Sequence, residues 1–170
     1  MNAKPGVNFG NSSRLISAPF AKSRDVTLFW VGKVNSNIGS WGTLWGHFSN
    51  HDNDIQLRNT SGQSVINWHT NNDNSGCQLN YSNNNPVLYY GTLTAGTSRF
   101  FSMTALGNTQ TVSATNPLTM TTGSAPIYIG ASDGMEVSQA QVSEVLYYQS
   151  VLTPAQIATV TSYLSAKWGL

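Results

Sequence analysis

The chain has 170 residues, a formal charge of +1 and 9% charged residues, against about 25% in an ordinary soluble protein. Asn, Ser and Thr make up about a third of it, so amides and hydroxyls rather than ions wet the surface. That leaves no basic patch for a nucleic acid, and the single cysteine, Cys77, excludes an intrachain disulfide and reads as a small buried hydrophobe.

The longest apolar stretch, Leu28 to Val31, is far too short to span a bilayer, so membrane insertion is not expected. Residues 1–20 hold no apolar run of the kind a secretory leader needs, so the expectation is either a mature fragment or a chain that reaches its place without a cleaved leader. A single domain of this length buries roughly 70% of its unfolded surface, and residues 1–170 read as one such domain.

In chain order, Lys4 to Gly10 and Leu15-Ile16 predict a first strand pair interrupted by the turn Gly10-Asn-Ser-Ser13. Asp25 to Val34 is the strongest strand of the N-terminal half. Its near-continuous apolar character predicts burial on both faces. Asn35 to Gly42 reads as a polar turn. Thr43 to Phe48 and Ile55 to Arg58 follow as strands around the loop Ser49-Asn-His-Asp-Asn-Asp54. Ser64 to His69 alternates, with Ile66 and Trp68 on one face. Residues 77–81 and 87–91 are further strands. Ser98 to Leu106 and Thr109 to Val112 predict a hairpin turning at Gly107-Asn108. Ile127 to Gly130 is the penultimate strand.

The last thirty residues carry the clearest signals. Val142 to Gln149 is dense in β-branched and aromatic residues, as a strand requires. Thr153-Pro154-Ala155-Gln156 opens a helix: Thr153 caps, Pro154 suits the first helical position, and Gln156 completes a capping box. Leu152 and Ile157 stand at the hydrophobic-staple positions. Ile157, Val160, Leu164 and Trp168 form one apolar face, and Gly169 is a left-handed stop. A helix this short is marginal alone, so it must lie on a sheet. Short strands broken by Gly, Asn and Pro, with one helix, predict an all-β antiparallel two-sheet sandwich ending in a short helix, which the resemblance set out next makes a jelly roll.

Glu144-Val-Leu-Tyr-Tyr, Leu152-Thr-Pro-Ala-Gln-Ile157 and Tyr163-Leu-Ser-Ala-Lys-Trp-Gly-Leu170 resemble the C-terminal signature of LamG-like jelly-roll domains of the concanavalin A-like lectin/glucanase superfamily. The opening strands and Ile127 to Gly130 resemble the family's corresponding parts. The resemblance implies a fold in which the last strand returns to the sandwich and a helix closes it. It implies function only broadly, since lectins, adhesion modules, glycosidases, lyases and virion proteins share that fold.

Glycosidase chemistry needs two carboxyls about 5 Å apart in a retaining enzyme. The resemblance would place them in a Glu-x-Asp-x-Glu strand. The chain has two glutamates, Glu136 and Glu144, and no such triplet. His47, His51, His69, Tyr81 and Arg58 match no lyase motif, and His47-Phe-Ser-Asn-His51 lacks a zinc-protease glutamate. The expectation is therefore no enzyme. Asn50, Asp52 and Asp54 alternate in a loop and would point oxygens one way, which makes calcium the one cofactor considered. Ile55 and Ser61 stand where an EF-hand needs Gly and Glu, so that motif is excluded.

Trp41, Trp45, Trp68, Tyr81, Tyr89 and Tyr90 gather in the middle third. Aromatic faces beside Asn and Asp amides suit sugar rings, while a sandwich core also demands large aromatics. Trp41, between glycines in a turn, Trp45 and Asn72 are the candidate glycan contacts. The leading expectation is a non-enzymatic surface structural or attachment protein, a phage capsid decoration or fibre protein, at a virion surface or extracellular. Its partners would be other proteins of an assembly or further copies of itself. The first alternative is a carbohydrate-binding adhesion module facing cell-surface glycans, and the second is a glycan-active hydrolase or lyase.

Overall fold

Strand-forming runs and turn residues alternate along most of the chain, and the fold follows that alternation. The computed structural model describes residues 5–9, 13–21, 23, 25–37, 41–47, 53–60, 63–69, 78–80, 84–94, 98–105, 108–115, 123–131 and 138–170. In chain order these form β1 (Val7–Phe9), β2 (Leu15–Ile16), β3 (Phe20–Ala21), β4 (Val26–Asn37), β5 (Trp41–His47), β6 (Asn53–Thr60) and β7 (Gln63–His69). They continue as β8 (Gln78–Asn80), β9 (Pro86–Thr94), β10 (Ser98–Ala105), β11 (Asn108–Thr115), β12 (Ser124–Ala125), β13 (Ile127–Ile129), β14 (Ser138–Tyr148) and α1 (Pro154–Trp168).

One six-stranded sheet has the order β1-β14-β4-β9-β10-β11. The other has the order β2-β13-β5-β6-β7-β8, and β12 pairs with β3. The pairings are antiparallel, and the two large sheets pack face to face as a sandwich. Trp30, Tyr89 and Phe101 of the first sheet meet Leu44, Trp45, Ile66 and Leu79 of the second in one buried cluster. Rings tie the layer together: Trp30 lies 5.4 Å from Tyr89, Tyr89 5.6 Å from Phe101, and Trp45 5.5 Å from Tyr147. Burying side chains of this size stabilises the fold by roughly 1.5–3 kcal/mol each.

β4 is central, between β14 and β9, and both of its faces are covered, as its apolar run predicts. Val26, Leu28, Trp30 and Val34 face the inner core. Phe29 and Val31 face outward, beneath α1, with Leu88, Leu164 and Trp168. On β14 the alternation changes phase. Ala140 and Val142 point inward, but so do Val145 and Tyr147. A register shift between Val142 and Glu144 leaves Ser143 as an extra residue opposite β4. This bulge turns Glu144 and Leu146 to the outer face. Glu144 Oε2 there accepts from Trp168 Nε1 at 2.7 Å and pairs with Lys167 Nζ at 2.9 Å.

The helix forms as its sequence dictates. Thr153 Oγ1 accepts from the Gln156 N–H at 3.4 Å, and Gln156 Oε1 accepts from the Thr153 N–H at 2.9 Å. Gly169 adopts φ 70°, a left-handed conformation, and its N–H donates to the Ser165 carbonyl. Thr27, fully buried on β4, holds the lead-in: its hydroxyl donates to the Ser150 carbonyl and accepts from the Leu152 N–H, both at 2.9 Å.

Four local expectations are corrected. β1 and β2 do not pair with each other. β1 joins β14, and β2 joins β13 in the opposite sheet. Phe9 enters the core and packs against Gly130, where a side chain would occupy the space of its ring. Trp41 is not in a turn: it opens β5, opposite Arg58. Asp54 belongs to β6, paired with Gly46 and His69, rather than to a loop. The predicted hairpin exists, but Ala105 pairs with Asn108, so its turn is residues 106–107.

Candidate functional site

Trp45 is fully buried, against Tyr147 in the core, so it presents no face to a ligand and is corrected from a glycan contact to a core residue. Asn50, Asp52 and Asn72, and the side chains of Trp41 and Asp54, lie outside the described residues. Among the described residues no three His, Cys, Asp or Glu side chains gather as metal ligands. No described helix is long and apolar enough to cross a membrane.

Among the described residues a recess lies elsewhere, along the outer face of the first sheet. The apolar face of α1 packs on Phe29 and Val31 of β4, Leu88 and Tyr90 of β9, and Leu146 and Tyr148 of β14. A groove of about 670 Å³ opens between the helix and the uncovered part of the sheet. Its floor is set by register. Tyr90, Ser102 and Thr111 form one cross-strand row, and Thr104 and Thr109 stand beside it, their hydroxyls 2.9 Å apart. Thr92 and Phe100 form a third row. The alternation of β10 puts Phe101 and Met103 into the core and Phe100, Ser102 and Thr104 into the groove. The wall is Val151, Leu152 and one helical face, Pro154, Ala158, Thr161 and Ser162.

The groove combines aromatic faces with hydroxyls. Tyr90 stacks on Phe29 at 5.6 Å and lies 5.7 Å from Phe100. Ser102 is 1% exposed, and its Oγ has no hydrogen-bond partner; nor does Thr161 Oγ1. Among the described residues that line it, none is ionisable except Tyr90. Such a lining cannot perform acid–base chemistry at neutral pH, but it can hold a ligand that offers hydroxyls and C–H faces. Tyr90 alone came from the six aromatics singled out in the sequence. Ser102, Thr104, Thr109 and Thr111 were missed, although their period-two spacing outside an apolar inner face was the available signal.

No protein-family model matches the chain, and no curated protein matches it. Solved structures do. Over 96% of its length the chain is similar to the Trypanosoma rangeli sialidase in complex with sialic acid, with TM-score 0.63 and 15% identity, spanning 28% of that protein. Over 84% it is similar to full-length tailspike protein 2 of an Escherichia coli bacteriophage, with TM-score 0.61 and 14% identity, spanning 22% of it. The enzymatically active domain of that tailspike protein matches with TM-score 0.57 at 14% identity, over 84% of this chain and 25% of that one. The chain thus spans about a quarter of the length of these structures, and the likeness is one of β-sandwich fold.

These similarities correct the functional expectation. The non-enzymatic surface structural or attachment reading, capsid decoration included, does not stand beside structures of a sialidase and an enzymatically active tailspike domain. The expectation of no enzyme falls with it. It rested on a missing carboxyl triplet and on unmatched lyase and zinc-protease motifs, which exclude those catalytic arrangements and not an enzymatic setting.

Proposed function

We propose that this chain is a carbohydrate-directed β-sandwich domain that holds a glycan in the groove between α1 and β9–β11, in the service of a glycan-active protein. The observation that carries the reading is the groove's lining: two aromatic faces beside a ladder of hydroxyls, on a fold shared with a sialidase and a phage tailspike. Sugar rings offer C–H faces to aromatics and hydroxyls to hydroxyls, and the groove lies within the usual range of small-molecule sites, roughly 300–1,000 Å³. The C-terminal signature and the Glu144–Trp168 bond it forms support placing the domain with the LamG-like, concanavalin A-like sandwiches. A virion-surface or extracellular setting follows, where glycans are the accessible partner.

The test is a broad glycan array with the wild-type chain and Ala158→Phe. Ala158 lines the groove from the exposed side of the helix. Phenylalanine there fills the groove without entering the core. The expected result is a reproducible hit that the variant loses while its circular dichroism is unchanged. A hit that survives in Ala158→Phe would move the site elsewhere, and an array with no hit would refute the reading.

A further inference from the structure

Ser102 and Thr161 differ from the hydroxyls around them. Thr104 and Thr109 satisfy each other at 2.9 Å, and Thr159 on α1 donates back to the Ala155 carbonyl at 2.9 Å. Thr161, two residues further along the same helix, makes no such bond, and Ser102, at 1% exposed, makes none either. A buried hydroxyl left without a partner destabilises the fold, so its retention needs another account. Both hydroxyls line the same groove, Ser102 from the floor and Thr161 from the wall.

Charge narrows what they can meet. Among the described residues, no Asp, Glu, Lys, Arg or His lines the groove. At the N-terminus of α1 the Gln156 N–H is taken by the Thr153 hydroxyl and the Ile157 N–H by the Thr153 carbonyl. An acidic sugar would therefore bring a carboxylate into the groove with no cation to meet it, at a large desolvation cost. A neutral sugar carries no such cost, and each of its hydroxyls can both donate and accept, as can Ser102 and Thr161.

We infer that the groove binds an uncharged pyranose, anchored by Ser102 Oγ and Thr161 Oγ1 and resting its C–H faces on Tyr90 and Phe100, and that it rejects acidic sugars. This rests on the carbohydrate-directed reading above and adds the ligand's charge class and its two polar anchors.

The experiment compares wild type, Ser102→Ala, Thr161→Val and the double variant. Each is measured by calorimetric titration with the neutral glycans that score on the array and with their sialylated counterparts, and each is melted. Because neither hydroxyl has a protein partner, the variants should melt at or above the wild-type temperature. Each should weaken neutral-glycan binding about tenfold or more, the loss of one good hydrogen bond in a desolvated site. Sialylated counterparts should bind at least tenfold more weakly than neutral ones. The inference is overturned if the double variant binds as wild type does, if sialylated glycans bind as well as neutral ones, or if Ser102→Ala lowers the melting temperature. Those outcomes leave glycan binding itself standing, whereas an array empty of any glycan would remove the carbohydrate-directed reading and this inference together.

Discussion

Replacing Glu144 by alanine should loosen α1 from its sheet while leaving the inner core intact. The carboxylate accepts from Trp168 Nε1 at 2.7 Å, and Trp168 is 5% exposed. A charge-assisted bond of that length is worth about 1.5–3 kcal/mol. Removing it also takes the carboxylate acceptor from a buried indole N–H. The loss should therefore be about 2–3 kcal/mol. For a domain of this size each kcal/mol moves the melting temperature by about 2–4 °C, so the melt should fall by roughly 4–12 °C. Lys167 bonds the same carboxylate, and that bond holds its ammonium above the usual lysine value, but its side chain stays 34% exposed. Water competes for it, so it should matter less than Trp168. The assay is thermal melting at neutral pH of Glu144→Ala, Trp168→Phe, Lys167→Ala and the two doubles with Glu144→Ala. Coupling to Trp168 should be about 1–2 kcal/mol and should exceed coupling to Lys167. A Glu144→Ala melt within about 2 °C of wild type, or a larger coupling to Lys167, would refute the reasoning.

Gly32→Ala should be among the most damaging single-atom changes, because the added Cβ would meet the Gln141 carbonyl oxygen and the Trp30 ring at 2.6 Å. Loss of soluble expression, or a drop of about 3 kcal/mol or more in denaturant unfolding, is expected, and near-wild-type stability would contradict it. Thr27→Val removes the hydroxyl that bridges the Ser150 carbonyl and the Leu152 N–H, and should cost about 1–3 kcal/mol in the same assay. Burial pushes the Tyr147 hydroxyl up to about 12 from its usual 10.0. The folded state thus prefers the neutral phenol, and that preference is fully present below pH 10 and lost as pH rises through 12. A melt followed from pH 9 to 12 should lose up to about 2 kcal/mol, discounted for partial exposure, and Tyr147→Phe should flatten the loss.

The helix and its neighbours were legible because their signals are local. Thr153, Pro154 and Gln156 act within a few residues of one another and Gly169 within the last turn, and the structure uses each as its position implies. β4 was legible for a related reason, since a short apolar run rich in β-branched and aromatic residues reads as a strand covered on both faces. What could not be read was long-range. Ser143 gives no hint that it is the extra residue that reverses the faces of β14 and delivers Glu144 to Trp168. The separation of β1 from β2 depends on Phe9 finding Gly130, far along the chain. Trp45 was misjudged because a tryptophan's sequence neighbours do not reveal which face of its strand is buried. Ser102 went unseen because one serine between Phe101 and Met103 is unremarkable until cross-strand register sets it beside Tyr90 and Thr111.

The position of β14 has a consequence for how the chain reaches this fold. β14 lies between β1 and β4, and both of its partners come from the opposite end of the sequence. The β9–β10–β11 meander is local and can form early, and β4 can then pair with β9. Until Ser138–Tyr148 arrive, the other edge of β4 shows bare backbone donors and acceptors, and Phe29 and Val31 lie uncovered on its outer face. That is a template for mispairing with another nascent copy. The loops that must close are long, so this step should set the folding rate, on the millisecond-to-second scale of non-local β topologies. One event then ends the exposure, because the strand that caps the edge carries behind it the helix that roofs the face. Chaperone dependence and concentration-dependent loss on refolding should therefore track the last thirty residues more closely than any other part of the chain.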